Sequence, residues 1–207
     1  MCYDSTASIA SFATGVLSSA VLYGYNPAMA VFFAWVIAMQ LFDYIFWKNP
    51  EKNRVNFWTT KVATFFNLLQ PIVLALCVIL LESRSIHAAT KLILAAYSIS
   101  ATAYLAWHWK AIDYTLADHP GYPGLFWKWN HLAGAEIVYT LFVLSLSMLA
   151  YLHFPKPINV VFLVLVLASW SASAIYVKGT AVGRFWCFFA GFIPLVLVFS
   201  YACLLHE

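Results

Sequence analysis

Apolar residues fill this chain in blocks, and the residues separating the blocks are mostly Lys, Asp, Asn, Gly and Pro. A helix needs about 20 consecutive apolar residues to cross the hydrocarbon of a bilayer. On that measure the pattern predicts seven spans: Ser8–Tyr25, Pro27–Trp47, Trp58–Leu81, His87–Trp107, Trp129–Leu152, Pro157–Val177 and Phe185–Leu205. They occupy most of the chain and leave no soluble appendage, so residues 1–207 read as one all-α, polytopic seven-helix transmembrane domain. The first block lacks a basic leading segment and runs directly into the second, which reads as a retained helix and not a cleaved signal.

The blocks also resemble one another. Phe65-Phe66, four residues, then Pro71-Ile72-Val73-Leu74 recurs as Phe188-Phe189, four residues, then Pro194-Leu195-Val196-Leu197. The second and sixth spans each open on a proline, Pro27 and Pro157, followed at one distance by Val31-Phe32 and Val161-Phe162, and each closes on a lysine, Lys48 and Lys178. Residues 5–82 and 129–205 thus read as parallel repeats joined by a linker helix at 87–107, a three-plus-one-plus-three plan. Proline deep in a span frees a backbone carbonyl and kinks the helix. Breaks at Pro71 and Pro194, at matching places in two halves, are the pattern that points to a transporter's midplane site.

Composition settles the solvent. The chain is 64% hydrophobic and 9% charged, against roughly 25% charged in soluble domains, so lipid must surround most of it. A net charge of +3, scattered among apolar blocks, is no nucleic-acid footprint. Lys48, Lys52, Arg54, Lys61, Lys110, Lys128, Lys178 and Arg184 fall on one predicted side and Arg84, Lys91 and Lys156 on the other. The positive-inside rule then puts the N-terminus in the cytoplasm and the C-terminus, Leu205-His206-Glu207, outside or in a lumen. Trp107, Trp109, Tyr114, Tyr122, Phe126, Trp127 and Trp129 crowd the longest loop, around a Gly121-Tyr122-Pro123-Gly124 turn, and read as an aromatic belt at headgroup level.

Three passages carry a resemblance: Met1-Cys2 before a Ser-rich first helix, the run Met39-Gln40-Leu41-Phe42-Asp43-Tyr44-Ile45-Phe46-Trp47-Lys48-Asn49, and Leu69-Gln70-Pro71 with a later Arg184-Phe185-Trp186-Cys187. Together the chain resembles an uncharacterised family of small polytopic membrane proteins from large DNA viruses and marine microbial eukaryotes. The resemblance implies no activity; it implies a carboxylate at Asp43, where that family often has Glu. In plan alone the chain is similar to the sugar-transporting and PQ-loop families, but it has Gln70-Pro71 where they have Pro-Gln, in a third helix and not a first.

Polar residues inside a span are costly and hence candidates for function. Asp43 stands about 6 Å inside the second span, with Gln40 one turn deeper on the same face. Asn67 and Gln70 repeat that spacing beside Pro71, near the midplane, and Glu136 lies about 10 Å into the fifth span with Tyr139 one turn on. A carboxylate in lipid protonates or finds a partner, so Glu136 is expected to face the interior. Gln40, Asp43, Asn67, Gln70, Glu136 and Tyr139 would then line one substrate or ion cavity, and two carboxylates at different depths suit a proton relay or cation path. The bland alternative is that Asn67 and Gln70 only join helices, at about 0.6 kcal/mol each, while Asp43 pairs with Lys48 or Arg184.

Other chemistries find less support. His108, Asp113, Asp118, His119 and His131 show no standard metal-ligand spacing, and no cofactor is indicated. Cys2, Cys77, Cys187 and Cys203 form no C-x-x-C; Cys2 and Cys187 share a predicted side, reduced if cytoplasmic and able to bridge if not. No lysine lies between Gly179 and Glu207 for a retinal Schiff base, and neither G-x-S-x-G nor H-E-x-x-H occurs, so an enzyme is not the expectation. Small residues at Gly15, Ser18 and Ser19, and at Ala168, Ser171, Ala172, Ser173 and Ala174, predict tight helix contact. The reading from sequence is a translocator of a small solute or ion, proton-coupled in one version. The alternatives are a non-transporting membrane scaffold and, from 18% aromatic residues and nine Trp, a pigment- or lipid-binding bundle.

Overall fold

The structure is a computed structural model. It describes residues 4–116, 125–176 and 189–204, with the backbone alone at 169, 170 and 172–176. The turn at 121–124, Asp118, His119, Cys2, Cys187, Lys178, Arg184 and the three C-terminal residues lie outside the described residues.

Eight helices are described: α1 (Ser5–Tyr23), α2 (Pro27–Lys48), α3 (Arg54–Leu68), α4 (Gln70–Leu81), α5 (Ala88–His108), α6 (Ala135–His153), α7 (Ile158–Tyr176) and α8 (Ile193–Leu204). The described residues hold no strand, only an isolated bridge between Leu116 and Phe126. By length and composition α1, α2, α5 and α6 can each cross a membrane, α3 and α4 together supply a fifth, bent span, and α8 and the apolar start of α7 are shorter. Leu17, Leu80, Leu92 and Ile99 are 69–72% exposed on the outside, an apolar surface of the kind that lipid covers. The chain is an all-helical, multi-pass membrane protein.

Helix starts follow their capping residues. Asp4, Asn26 and Asn53 each accept, through a side-chain oxygen, a backbone N–H three residues on, at 2.8, 2.7 and 2.9 Å. The first helix therefore begins at Ser5 and the third at Arg54, both ahead of the apolar blocks. The fifth expected span begins later than its apolar block. Gly134, at φ 86°, takes the left-handed turn that starts α6 at Ala135, and Trp129 is left in a short 3-10 turn before it.

α2 is the hub, packed on α1, α3 and α4, while α6 packs on α4, α5 and α7. α1 packs on both α2 and α8, and its buried residues are Ser8, Ser11, Gly15, Ser18, Ser19 and Leu22, mostly small side chains that allow close approach. At Gly15 a Cβ would stand 2.6 Å from Ile37 Cδ1 and 3.0 Å from the Gly191 carbonyl.

The expected third span is two helices, bent by 52° between Leu68 and Gln70. Pro71 has no N–H for the Asn67 carbonyl, and the last helical bond of α3 runs from the Leu69 N–H to the Phe65 carbonyl at 2.9 Å. Around this opened turn two neighbours donate to the backbone: Trp35 Nε1 to the Phe66 carbonyl at 3.0 Å, its ring stacked on Phe66 at 4.1 Å, and the Tyr97 hydroxyl to the Leu68 carbonyl. At the second sequence break α8 begins in the same manner. Pro194 is its second residue, as Pro71 is of α4, both helices have 12 residues, and Val196 N–H donates to the Phe192 carbonyl at 3.2 Å as Val73 does to Leu69 at 2.9 Å.

Two stability outcomes are expected in detergent. Tyr97→Phe leaves the buried Leu68 carbonyl without its side-chain donor and should lower stability by about 1–3 kcal/mol. Gly15→Ala should also destabilise, by about 1–3 kcal/mol, because Ile37 and the Gly191 backbone must move. A thermal midpoint unchanged by either substitution would contradict the corresponding contact.

Candidate functional site

The segment between α5 and α6 closes one end of the bundle. Its outer anchors are polar. Asn56 holds Thr115 from both sides, its Nδ2 donating to the Thr115 carbonyl at 2.7 Å and its Oδ1 accepting the Thr115 N–H at 3.0 Å. Lys61, 4% exposed, donates to the Trp109 carbonyl and lies 4.1 Å above the Trp109 ring, a cation–π contact made strong by burial. Lys128 Nζ bridges to Asp113 at 3.0 Å.

Burial alternates along the inner part of this segment, through Leu125–Trp127 and into the 3-10 turn at Lys128–Asn130. Leu125, Trp127 and Trp129 are buried, whereas Phe126 and Lys128 are partly exposed. Trp127 and Trp129, both 0% exposed and stacked at 5.0 Å, are the largest fully buried side chains described. The expectation of an aromatic belt is corrected here: Trp107, 85% exposed, and Trp109 face outward, but Trp127 and Trp129 are core. Their neighbours explain the inward turn. Trp127 Nε1 donates to Asp43 Oδ1 at 3.2 Å, the Tyr104 hydroxyl donates to the Trp129 carbonyl, and Asn130, 4% exposed, meets Tyr139.

Tyr139 also reaches Asn67, so its hydroxyl lies between the Asn67 and Asn130 side-chain amides. A phenol has one proton to give. One amide oxygen therefore accepts it, and the other amide must turn its NH2 toward the phenol oxygen. This triad ties α3, the capping segment and α6 together. Asp43 is 1% exposed and Gln40, one turn along α2, is 0% exposed. Gln70, at the start of α4 and 0% exposed, has neither its amide oxygen nor its amide nitrogen hydrogen-bonded.

The structure thus buries five of the six residues expected to share a cavity, wholly or in part: Gln40, Asp43, Asn67, Gln70 and Tyr139. It does not bring Glu136 to them. Glu136 is exposed in the first turn of α6, because Gly134 starts the helix late and puts the carboxylate near its end, where the helix dipole favours it. A groove of about 480 Å³ between α5 and α6 is lined by Ala103, Tyr104, Trp107, His108, Gly134 and Ile137, and not by Glu136. The buried polar residues that sequence reasoning missed are Trp127, Trp129 and Asn130. Their signal was the alternation over Leu125-Phe126-Trp127-Lys128-Trp129, masked because four of those five side chains are apolar.

The site residues supply amide, phenol, indole and carboxylate groups, with Asp43 the carboxylate among them. That set recognises a cation or a neutral hydrogen-bonding solute in preference to an anion. Among the described residues no three His, Cys, Asp or Glu side chains gather as metal ligands.

In the capping segment, burial by itself would raise the Asp113 carboxyl, but the Lys128 hydrogen bond, the Tyr114 N–H and the Lys128 charge outweigh it and hold the pKa below the usual carboxylate value. A carboxyl lowered by folding contributes stability that is present above its unfolded pKa and lost as pH falls through the folded one. Docking of the segment should therefore be insensitive to pH down to about 4 and weaken below, by under about 1 kcal/mol for so exposed a pair. Tryptophan fluorescence against pH reads this, and Asp113→Asn should flatten the acid limb. No protein-family model, curated protein or solved structure matches the chain.

Proposed function

We propose that the protein moves a small polar solute or ion across the membrane, through the space between the bent α3–α4 span and α2 and α6. One observation carries the reading: the fully buried Gln70 amide, with both ends unpartnered, at a helix break. Leaving such groups unpaired costs about 1–3 kcal/mol each. A bundle that needed only to be stable would place Leu or Met there. A passing solute, or the water that accompanies it, satisfies the amide only while it is present, which suits a site that must bind and release.

Asp43 and Gln40 supply acceptors on the facing helix, and the capping segment, through Trp127 and Asn130, controls that end of the path. In this reading the chain has seven spans arranged as three, one and three, supported by the like starts of α4 and α8 at Pro71 and Pro194. The capped end, which carries Lys48, Lys52, Arg54, Lys61, Lys110 and Lys128, faces the cytoplasm. The scaffold reading draws on a different observation: Asp43 to Trp127 and Asn67 to Tyr139 are bonds between elements, as helix-joining groups would make.

Gln70→Met separates the two readings. It matches the volume and removes the unpaired amide, so the thermal midpoint should rise. In proteoliposomes carrying protons, monovalent cations or small neutral solutes, the same substitution should cut protein-dependent flux roughly tenfold or more, as expected for losing about 1.4 kcal/mol of binding. Glu136→Gln should leave flux unchanged. A more stable Gln70→Met protein, with no flux in either chain, would sink translocation and leave the scaffold.

A further inference from the structure

The groove between α5 and α6 opens outward beside Trp107 and Ile137, which are 85% and 63% exposed. Its polar lining residues spend their hydrogen-bonding groups on the backbone. The Tyr104 hydroxyl donates to the Trp129 carbonyl, and His108 Nε2 donates to the Ala133 carbonyl at 2.9 Å, with the two rings edge-on at 4.9 Å. Small residues keep the space open: Ala103 is exposed, and a Cβ at Gly134 would meet nothing nearer than Tyr104 Cδ2 at 4.0 Å. A volume of about 480 Å³ falls within the roughly 300–1,000 Å³ of small-ligand sites. With the phenol proton and the imidazole N–H committed, the walls present rings and aliphatic carbon and suit an apolar occupant.

One end of the groove is charged. α5 ends at His108, but its coil runs on: Trp109 keeps helical dihedrals, and the Ile112 N–H donates to the His108 carbonyl at 3.0 Å. Ala103, Trp107 and Lys110 therefore fall on one stripe, at i, i+4 and i+7, with Lys110 exposed about a turn beyond the groove. Among the described residues Lys110 makes no ion pair. Asp113 is paired with Lys128 instead, and Glu136 does not line the groove. α5 is long and apolar enough to cross the bilayer and ends here, so this is the level at which headgroups begin. An apolar groove under an exposed cation is complementary to an acyl chain under a phosphate.

We propose that the α5–α6 groove holds an acyl chain of an anionic glycerophospholipid, with Tyr104 and Trp107 along the chain and the Lys110 ammonium at the headgroup phosphate. A lysine serves such a site by laying its stem on apolar surface and keeping its charge at the interface. A sterol would leave that ammonium without a counter-charge, and a zwitterionic headgroup would bring a second cation beside it. This goes beyond the translocation reading and does not depend on it.

The test places the full chain in phosphatidylcholine nanodiscs with rising fractions of brominated-chain phosphatidylglycerol or brominated-chain phosphatidylcholine. Bromine quenches an indole that it touches, and the signal lost in Trp107→Phe is that of Trp107. Half-quenching of Trp107 should need a roughly fivefold lower fraction of the phosphatidylglycerol, as expected for one lysine at an anionic headgroup. Lys110→Gln should erase that preference. Ala103→Phe, which fills the groove from an exposed position, should erase it too and remove the phosphatidylglycerol that native mass spectrometry should find retained on the unsubstituted chain. Equal quenching by the two lipids would mean ordinary boundary lipid and overturn the proposal. So would a preference that survives either substitution, or a protein of twice the mass with Trp107 shielded from both lipids, which would give the groove to a second copy. The comparison of lipids on the unsubstituted chain decides even where a variant does not fold. Lipid preference without flux in liposomes would keep this site and remove the translocation reading; flux without lipid preference would do the reverse.

Discussion

In lipid, a backbone carbonyl without an N–H partner has no water to turn to, and in this chain prolines create several. Pro71 opens the middle of one span, and Pro155 and Pro157 end another. The side chains that answer come from elsewhere in the chain. Trp35 and Tyr97 reach the break from α2 and α5, Arg84 reaches the end of α6 from the turn between α4 and α5, and Asn159 folds back from α7. Each such bond is worth little against the unfolded chain, yet removing it strands a buried acceptor. The helices are therefore held in register by the defects of their neighbours as well as by apolar packing.

The same requirement separates the polar groups by role. Those that replace a lost backbone donor or join two elements are structural: Tyr97, Trp35, and the Asn67, Tyr139 and Asn130 triad. Those left after that accounting include the Gln70 amide at the break, the Trp129 indole N–H, and single atoms of Glu82, His153 and Asn159 at the opposite end. A buried polar atom with nothing to bond is the feature stability does not explain.

Much of this was legible in the sequence, and for physical reasons. Apolar blocks long enough to span hydrocarbon fix the helices, and Pro71 fixes the break. The helical spacing of Gln40 with Asp43 put both on the buried face of α2. Glu136 was misjudged because α6 begins where Gly134 permits a left-handed turn, not where the apolar block begins, so the carboxylate stands near the helix end. Trp127 and Trp129 were misjudged because Trp at a predicted loop has two uses, interfacial anchor or core, and only the Asp43 and Tyr104 contacts across the fold decide between them. Caps at Asn159 and Arg84 depend equally on partners that local pattern does not reveal.

The bond from Trp127 to Asp43 spans 84 residues of sequence. At synthesis rates of about 5–20 residues per second, Asp43 leaves the ribosome several seconds or more before its partner exists. During that interval α2 presents a carboxylate to the insertion machinery with no indole to receive it. On a helix otherwise apolar enough to insert, that carboxylate enters the bilayer neutral or charged at a cost of up to about 3 kcal/mol. The Trp127 bond, formed only once the capping segment exists, then relieves a cost that insertion has already met.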